Sequence, residues 1–188
     1  MKQFIVSVVN LNILNNEGRR YLRPRFIKRT EIMTFLNVTP SAQAESFNIV
    51  GNGMTSGAYA YDASETSETY IVNDNATTTV DNYTIALDSE MKCIYGDGVY
   101  DYINGLRYAL ATGSDAETTV LLVDKYDVSG NAFKAQKFNC SISIKSYGGD
   151  GGVTPTIGFK INVNGDPTNG TVTINDSGVP TFTASGSV

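Results

Sequence analysis

The sequence predicts a mainly β protein: an antiparallel β-sandwich or barrel-like domain with one flanking α-helix and one long loop. Three observations predict it. First, period-two alternation runs through the C-terminal part of the chain. In FKAQKFNCSISIKSY, Phe138, Cys140, Ile142 and Ile144 share one parity, while Lys137, Asn139, Ser141, Ser143 and Lys145 share the other. Successive strand side chains point to opposite faces, so this pattern buries one face and leaves one polar. TIGFKINVN alternates again, with Ile157, Phe159, Ile161 and Val163 against Gly158, Lys160 and Asn162, and TVTI then turns Val172 and Ile174 inward. Second, the chain is rich in Thr, Ser, Asn, Gly and Tyr and lacks Trp. Small hydroxylated and β-branched residues over short segments favour sheets over a helical bundle. Third, a helical period occurs convincingly in one stretch of the body.

In chain order, residues 1–32 differ from the rest. They carry Lys2, Arg19, Arg20, Arg23, Arg25, Lys28 and Arg29 against Glu17 and Glu31, a balance of +5 within a total of −5, so residues 33–188 hold −10. FIVSVV (4–9) is too short for a signal-peptide core and has no small-residue cleavage site behind it. RRYLRPRFIKR (19–29) is basic with interleaved aromatics, a pattern that nucleic-acid arms share. The stronger expectation is a flexible extension, or sequence upstream of a natural start at Met33, packed poorly on the domain. The β domain then spans 33–188.

TFLNVT and SFNIVGNGM read as a strand or extended arm and a second strand, divided by Pro40. Residues 55–79 are polar and rich in Ser, Thr and Ala, and read as a long loop with a brief strand at YIV (70–72). A connection of this length inside a domain is usually functional or disordered. VDNYTIALDSEMKCIY (80–95) alternates through Tyr83, Ile85 and Leu87. In VYDYINGLRYALAT, Val99, Tyr102, Ile103, Leu106 and Leu110 recur at three- and four-residue steps. That predicts an amphipathic helix over about 98–111, with Asp97 as N-cap and Gly113 at its end. Gly105 inside it costs about 1 kcal/mol relative to Ala. ETTVLLVDKYD (117–127) is a strongly apolar strand, VSGN (128–131) a turn, and NGDPTNG (164–170) a turn ahead of TVTI. DSGVPTFTAS (176–185) adds a last turn and a short closing strand.

The chemistry that these residues exclude narrows the function. The chain has no histidine, which removes the commonest catalytic base and the usual triad. SEMK (89–92) fits the SxxK of serine–lysine acyl enzymes, but it falls in a predicted strand without SDN or KTG companions. Asp97, Asp101 and Asp150 sit in glycine-rich turns, without the ligand spacing of a calcium loop. No glycine run has the lysine of a phosphate loop. The sequons at Asn75 and Asn82 are read as composition, because no signal peptide precedes them. Cys93 and Cys140 read as buried thiols of a reducing compartment, not as a staple. No apolar run approaches the length of a membrane span. No catalytic, cofactor-binding or metal-binding residue is assigned, and an enzyme is not expected. An acidic body repels nucleic acid instead of gripping it. A sheet of this kind must also blunt its open edges or pair them, and copies of itself in a ring would pair them.

TFLNVTP, TYIVNDNATTTVDNY, GDGVYDYINGLRYALATGSDAETTVLLVDKY, AQKFNCSISIKSYGGDGG and IGFKINVNGDPTNGTVTI before FTAS carry a resemblance from Met33 to Ala184. This stretch resembles the tail tube (major tail) protein of long-tailed bacteriophages of the siphophage type that infect Gram-positive hosts. The ending NGDPxxGTVTI after an alternating strand is its most specific part, and residues 1–32 have no counterpart. The resemblance implies a structural virion protein of the tail, assembled in the host cytoplasm into hexameric rings that stack into a tube for genome ejection. Strands of six subunits would close an inner barrel, and the 55–79 loop would reach the neighbouring ring. Further partners would be the tape-measure and tail-terminator proteins. DNA would pass through the lumen without specific binding, and no membrane or cofactor is involved. Lys137, Lys145 and Lys160 on polar strand faces depart from an acidic lumen. Two other classes compete with this expectation. One is an immunoglobulin-like surface or virion decoration module whose loops bind a ligand. The other is a carbohydrate-acting enzyme with paired carboxylates.

Overall fold

The structure is a computed structural model that describes residues 24–186. Its strands are β1 (Ile32–Asn37), β2 (Phe47–Ile49), β3 (Tyr59–Glu68), β4 (Thr77–Lys92), β5 (Glu117–Ser129), β6 (Ala132–Gly148), β7 (Thr156–Ile174) and β8 (Pro180–Ala184). One α-helix, α1 (Gly98–Ala109), lies between β4 and β5. The fold is mainly antiparallel β with a single α-helix among the described residues, as the sequence predicts. All eight strands join one sheet in the order β2-β1-β5-β6-β7-β4-β3, with β8 paired to β7 outside this path. The layers of the expected sandwich are therefore made by one sheet that curls. Its two ends approach each other: Arg29 Nη2, just before β1, donates to Gly57 O beside β3 at 3.1 Å, and Lys92 N–H donates to Gly53 O at 3.0 Å.

Both faces of the middle of the sheet are apolar, which explains the unbroken TVLLV run of β5. A strand buried on both faces reads as continuous apolar residues. Val120 and Leu122 point to the face that α1 covers, where Leu36, Phe138, Cys140, Phe159 and Ile161 pack with Val99, Tyr100 and Ile103 of the helix. Leu121 and Val123 point to the other face and pack with Phe35, Phe47, Ala135 and Val172. Each fully buried Leu, Ile, Val or Phe contributes about 1.5–3 kcal/mol. The parity read from FNCSISI and IGFKINV is the one observed: Phe138, Cys140, Ile142, Ile157, Phe159 and Ile161 are buried. Both cysteines are free, with Cys140 fully buried and Cys93 half-buried against the same core.

Asp97 caps α1, its Oδ1 accepting from the N–H groups of Val99 at 3.1 Å and Tyr100 at 3.0 Å. The other end differs from expectation. Leu110, not Gly113, closes the helix in the left-handed region at φ 50°, ψ 45°. Leu110 N–H donates to Arg107 O and Ala111 N–H to Leu106 O, the paired bonds of a Schellman ending. Leu110 is consequently 81% exposed instead of buried, and Tyr100 takes a core place that the periodicity did not assign it.

Two further expectations are corrected. NGDPTNG does not end a strand. β7 runs through it, and its register against β6 jumps from Asn139↔Asn164 to Lys137↔Thr168. Gly165, at φ 70°, and Pro167 are absorbed there as a bulge, where a proline costs no ladder hydrogen bond. The stretch 55–79 is not an irregular loop throughout: about half of it is strand β3 and the start of β4, joined by the connection 69–76. The expectations for residues 1–23 lie outside the described residues. Residues 24–30 are exposed, and β1 opens at Ile32, paired with Asp124, one residue before Met33.

Candidate assembly surface

The sequence assigns no catalytic residue, and the positions weighed for chemistry have other duties. Ser89 and Lys92 are three apart on β4, which places them on opposite faces, and Ser89 Oγ donates to Ser56 O at 2.9 Å. Asp97 is occupied as a helix cap, Asp101 Oδ1 accepts from Gly96 N–H at 3.4 Å, and Asp150 lies exposed in its turn. Among the described residues no three His, Cys, Asp or Glu side chains are grouped as metal ligands.

The surface that stands out is the β3–β4 hairpin. β3 pairs with β4 from Tyr59↔Leu87 to Glu68↔Thr77. β4 itself joins the rest of the sheet only from Ala86 onward, through Asn162 to Thr156 of β7. The hairpin from Ala60 to Glu68 thus projects beyond the body by about 30 Å, at 3.3 Å per residue. Every residue of β3 after Tyr59 is exposed. Its two faces nevertheless differ. Tyr61, Ala63, Tyr83, Ile85 and, past a bulge at Asp81, Val80 share the face that continues the helix-covered core, and this stripe gives way to Glu65 opposite Val80 and to Ser67 opposite Thr78 toward the tip. Asp62, Ser64, Thr66, Thr79, Asn82 and Thr84 make the other face. Tyr61, Tyr83 and Val80 are 54%, 58% and 46% exposed, although alternation of this kind ordinarily marks a half-buried strand. Hydroxyl and carboxylate contacts on the hairpin, such as Thr66 Oγ1 to Asp81 Oδ2 at 2.6 Å, hold its shape. An isolated two-stranded hairpin is marginal in water, so an uncovered arm of this length calls for a second surface.

The tip has its own anomaly. Asn73 N–H donates to Tyr70 O at 2.9 Å, closing a turn whose central residues are Ile71 and Val72. Such positions favour Pro, Gly, Asn, Asp or Ser, yet here two β-branched residues stand 105% and 84% exposed.

Away from the arm, the face opposite α1 turns polar where β4, β7 and β6 meet. Asp88 and Glu90, Lys160 and Asn162, and Ser141, Ser143 and Lys145 lie side by side there in register. The three lysines singled out in the sequence do not make a basic patch. Lys145 pairs with Asp88, and Lys137 pairs with both carboxylate oxygens of Glu45 at 2.7 Å. Lys160 stands opposite Asp88 across the strands. The patch is charge-balanced. In the sequence the arm shows only faintly, in the spacing of Tyr59, Tyr61 and Ala63, because its Ser, Thr and Glu content reads as loop.

No protein-family model and no curated protein sequence matches the chain. Among solved structures, the fold is similar to a chain described as the tail of an empty GTA particle, obtained by helical refinement with C6 symmetry. The TM-score is 0.52 at 10% sequence identity, and the match covers 77% of this chain and 98% of that one.

Proposed function

We propose that this chain is a structural tail subunit that assembles into hexameric rings, and that the rings stack into a tube through the arm formed by residues 55–79. The observation that carries this reading is the arm: a long hairpin whose apolar stripe continues from the core and is left uncovered by the described residues of its own chain. The likeness in fold to a chain from a C6-symmetric tail supports it. Open strands on the sheet path, β2 at one end and β3 at the other, would be paired by neighbours in a closed ring, which abolishes edges. A charge-balanced polar face on a body of net −10 would line a channel without gripping phosphate, so DNA could slide. Tape-measure and tail-terminator proteins are the further partners of such a tube, and the virion tail its location. Residues 1–32 are an N-terminal extension of the tail domain in this reading, with its last residue, Ile32, already taken into β1.

Sedimentation velocity over a concentration series tests it. The full chain is expected to shift from monomer to ring-sized and larger species. A single monomer boundary at every concentration would contradict self-assembly and favour a monomeric decoration module.

A further inference from the structure

The arm tip is a knob without a hole, and the same molecule carries a hole without a knob. Beyond Ser141, where the β5 ladder stops, β6 has no strand partner on its β5 side among the described residues. There the C-terminal end of α1 and β6 enclose a groove of about 550 Å³. Leu106, Leu110, Ile144 and Tyr147 supply its apolar lining, and Arg107 and Lys145 supply its charge, Lys145 being already paired with Asp88. The Arg107 guanidinium stacks on the Tyr147 ring at 3.9 Å and its Nε donates to Asn104 Oδ1 at 2.9 Å. Among the described residues it has no carboxylate partner.

We infer that this groove is the seat of the arm tip of a second copy of the chain, Ile71 and Val72 entering between Leu106, Leu110 and Tyr147. The inference rests on the proposed self-assembly and deepens it by naming the receiving surface. Three observations converge on it. The knob is apolar and flanked by the exposed acids Glu68 and Asp74, and the groove is apolar and edged by Arg107. Both surfaces break local rules in the same way. Ile71 and Val72 occupy turn positions, and Leu110 occupies a left-handed position where Gly or Asn is favoured, each at the expense of an exposed apolar side chain. Such violations are expected at functional sites. Finally, the arm extends away from its own body along β4, so the tip reaches another copy and not its own groove. The cavities between β1 and β3 fit less well, because Arg29, which lines both, already donates to the carbonyls of Ile32 at 2.5 Å and Gly57 at 3.1 Å, and Lys134, which lines one of them, lies 3.8 Å from the Asp127 carboxylate.

The test places the photo-crosslinker p-benzoylphenylalanine at position 71 of the full chain and irradiates it under assembling conditions, followed by peptide mapping. Cross-links to the stretches 106–112 or 142–147 of another copy are the expected result. Cross-links in assembled protein to any other surface would overturn the docking site and leave self-assembly standing. Monomers without intermolecular cross-links would overturn both. The exposed change Leu110→Asn, made in the same background, is expected to cut the cross-link yield at least tenfold with no loss of thermal stability. An unchanged yield would also reject the groove.

Discussion

Leu110 is costly to the isolated subunit, and in the proposed assembly it lines the seat of the arm tip. A left-handed conformation costs a non-glycine residue roughly 1–2 kcal/mol, and Leu110 recovers little by burial because it is 81% exposed. Leu110→Gly is therefore expected to stabilise the isolated subunit by about 1 kcal/mol in urea unfolding while weakening its self-association. A loss of stability would mean that the side chain is covered within the monomer. Gly170 carries the opposite constraint. A Cβ there would lie 2.3 Å from the Thr183 carbonyl oxygen and 2.7 Å from the Phe182 ring. Gly170→Ala must push β8 from β7, and overpacking of this kind costs about 1–3 kcal/mol. Urea unfolding should show that loss, and a neutral result would mean that β8 is not seated on β7 as described.

At the scale of the element, the arm separates folding from function. Tyr61 and Tyr83 on its apolar stripe are more than half exposed among the described residues, so Tyr61→Ser with Tyr83→Ser should change the melting temperature little, as exposed substitutions do. The same pair should abolish the larger species in sedimentation velocity. A collapse of the fold would show instead that the stripe packs within the subunit.

The strands of the body were legible because one face of each is buried: Cys140, Ile142, Phe159 and Ile161 print the period of the sheet on the sequence. The arm was not, because a hairpin with both faces in water is under no such constraint, and Glu65, Thr66, Ser67 and Glu68 satisfy solvent as a loop would. NGDPTNG looked like a turn because a bulge and a turn draw on the same residues. Leu110 looked like core because Schellman geometry rotates the last apolar position of the helix outward, which periodicity does not register. The groove beside it stayed hidden for the same reason: it joins the helix end at 106–112 to the strand residues 142–147, and only the tertiary fold brings them together.

For the whole molecule, the buried phenols and thiol set a limit on alkaline stability. Burial pushes Tyr100 up to about 12 and Cys140 up to about 12, and raises Tyr59 and Tyr102, whose buried hydroxyls have no hydrogen-bond partner among the described residues. In the unfolded chain these groups lose their protons near pH 8.5–10. A folded value above the unfolded one means that the stabilisation is complete below that range and is lost as pH rises through it toward 12. Melting temperatures followed by circular dichroism should hold level to about pH 8.5 and then fall steadily. A level profile to pH 12 would mean that these side chains ionise freely in the fold.

Self-assembly is the claim on which the rest depends, and negative-stain electron microscopy of the concentrated full chain in moderate salt tests it most directly. The account predicts rings with sixfold end-on views, and hollow tubes where rings stack. A field of small single particles at every concentration, with the chain folded by circular dichroism, would contradict it.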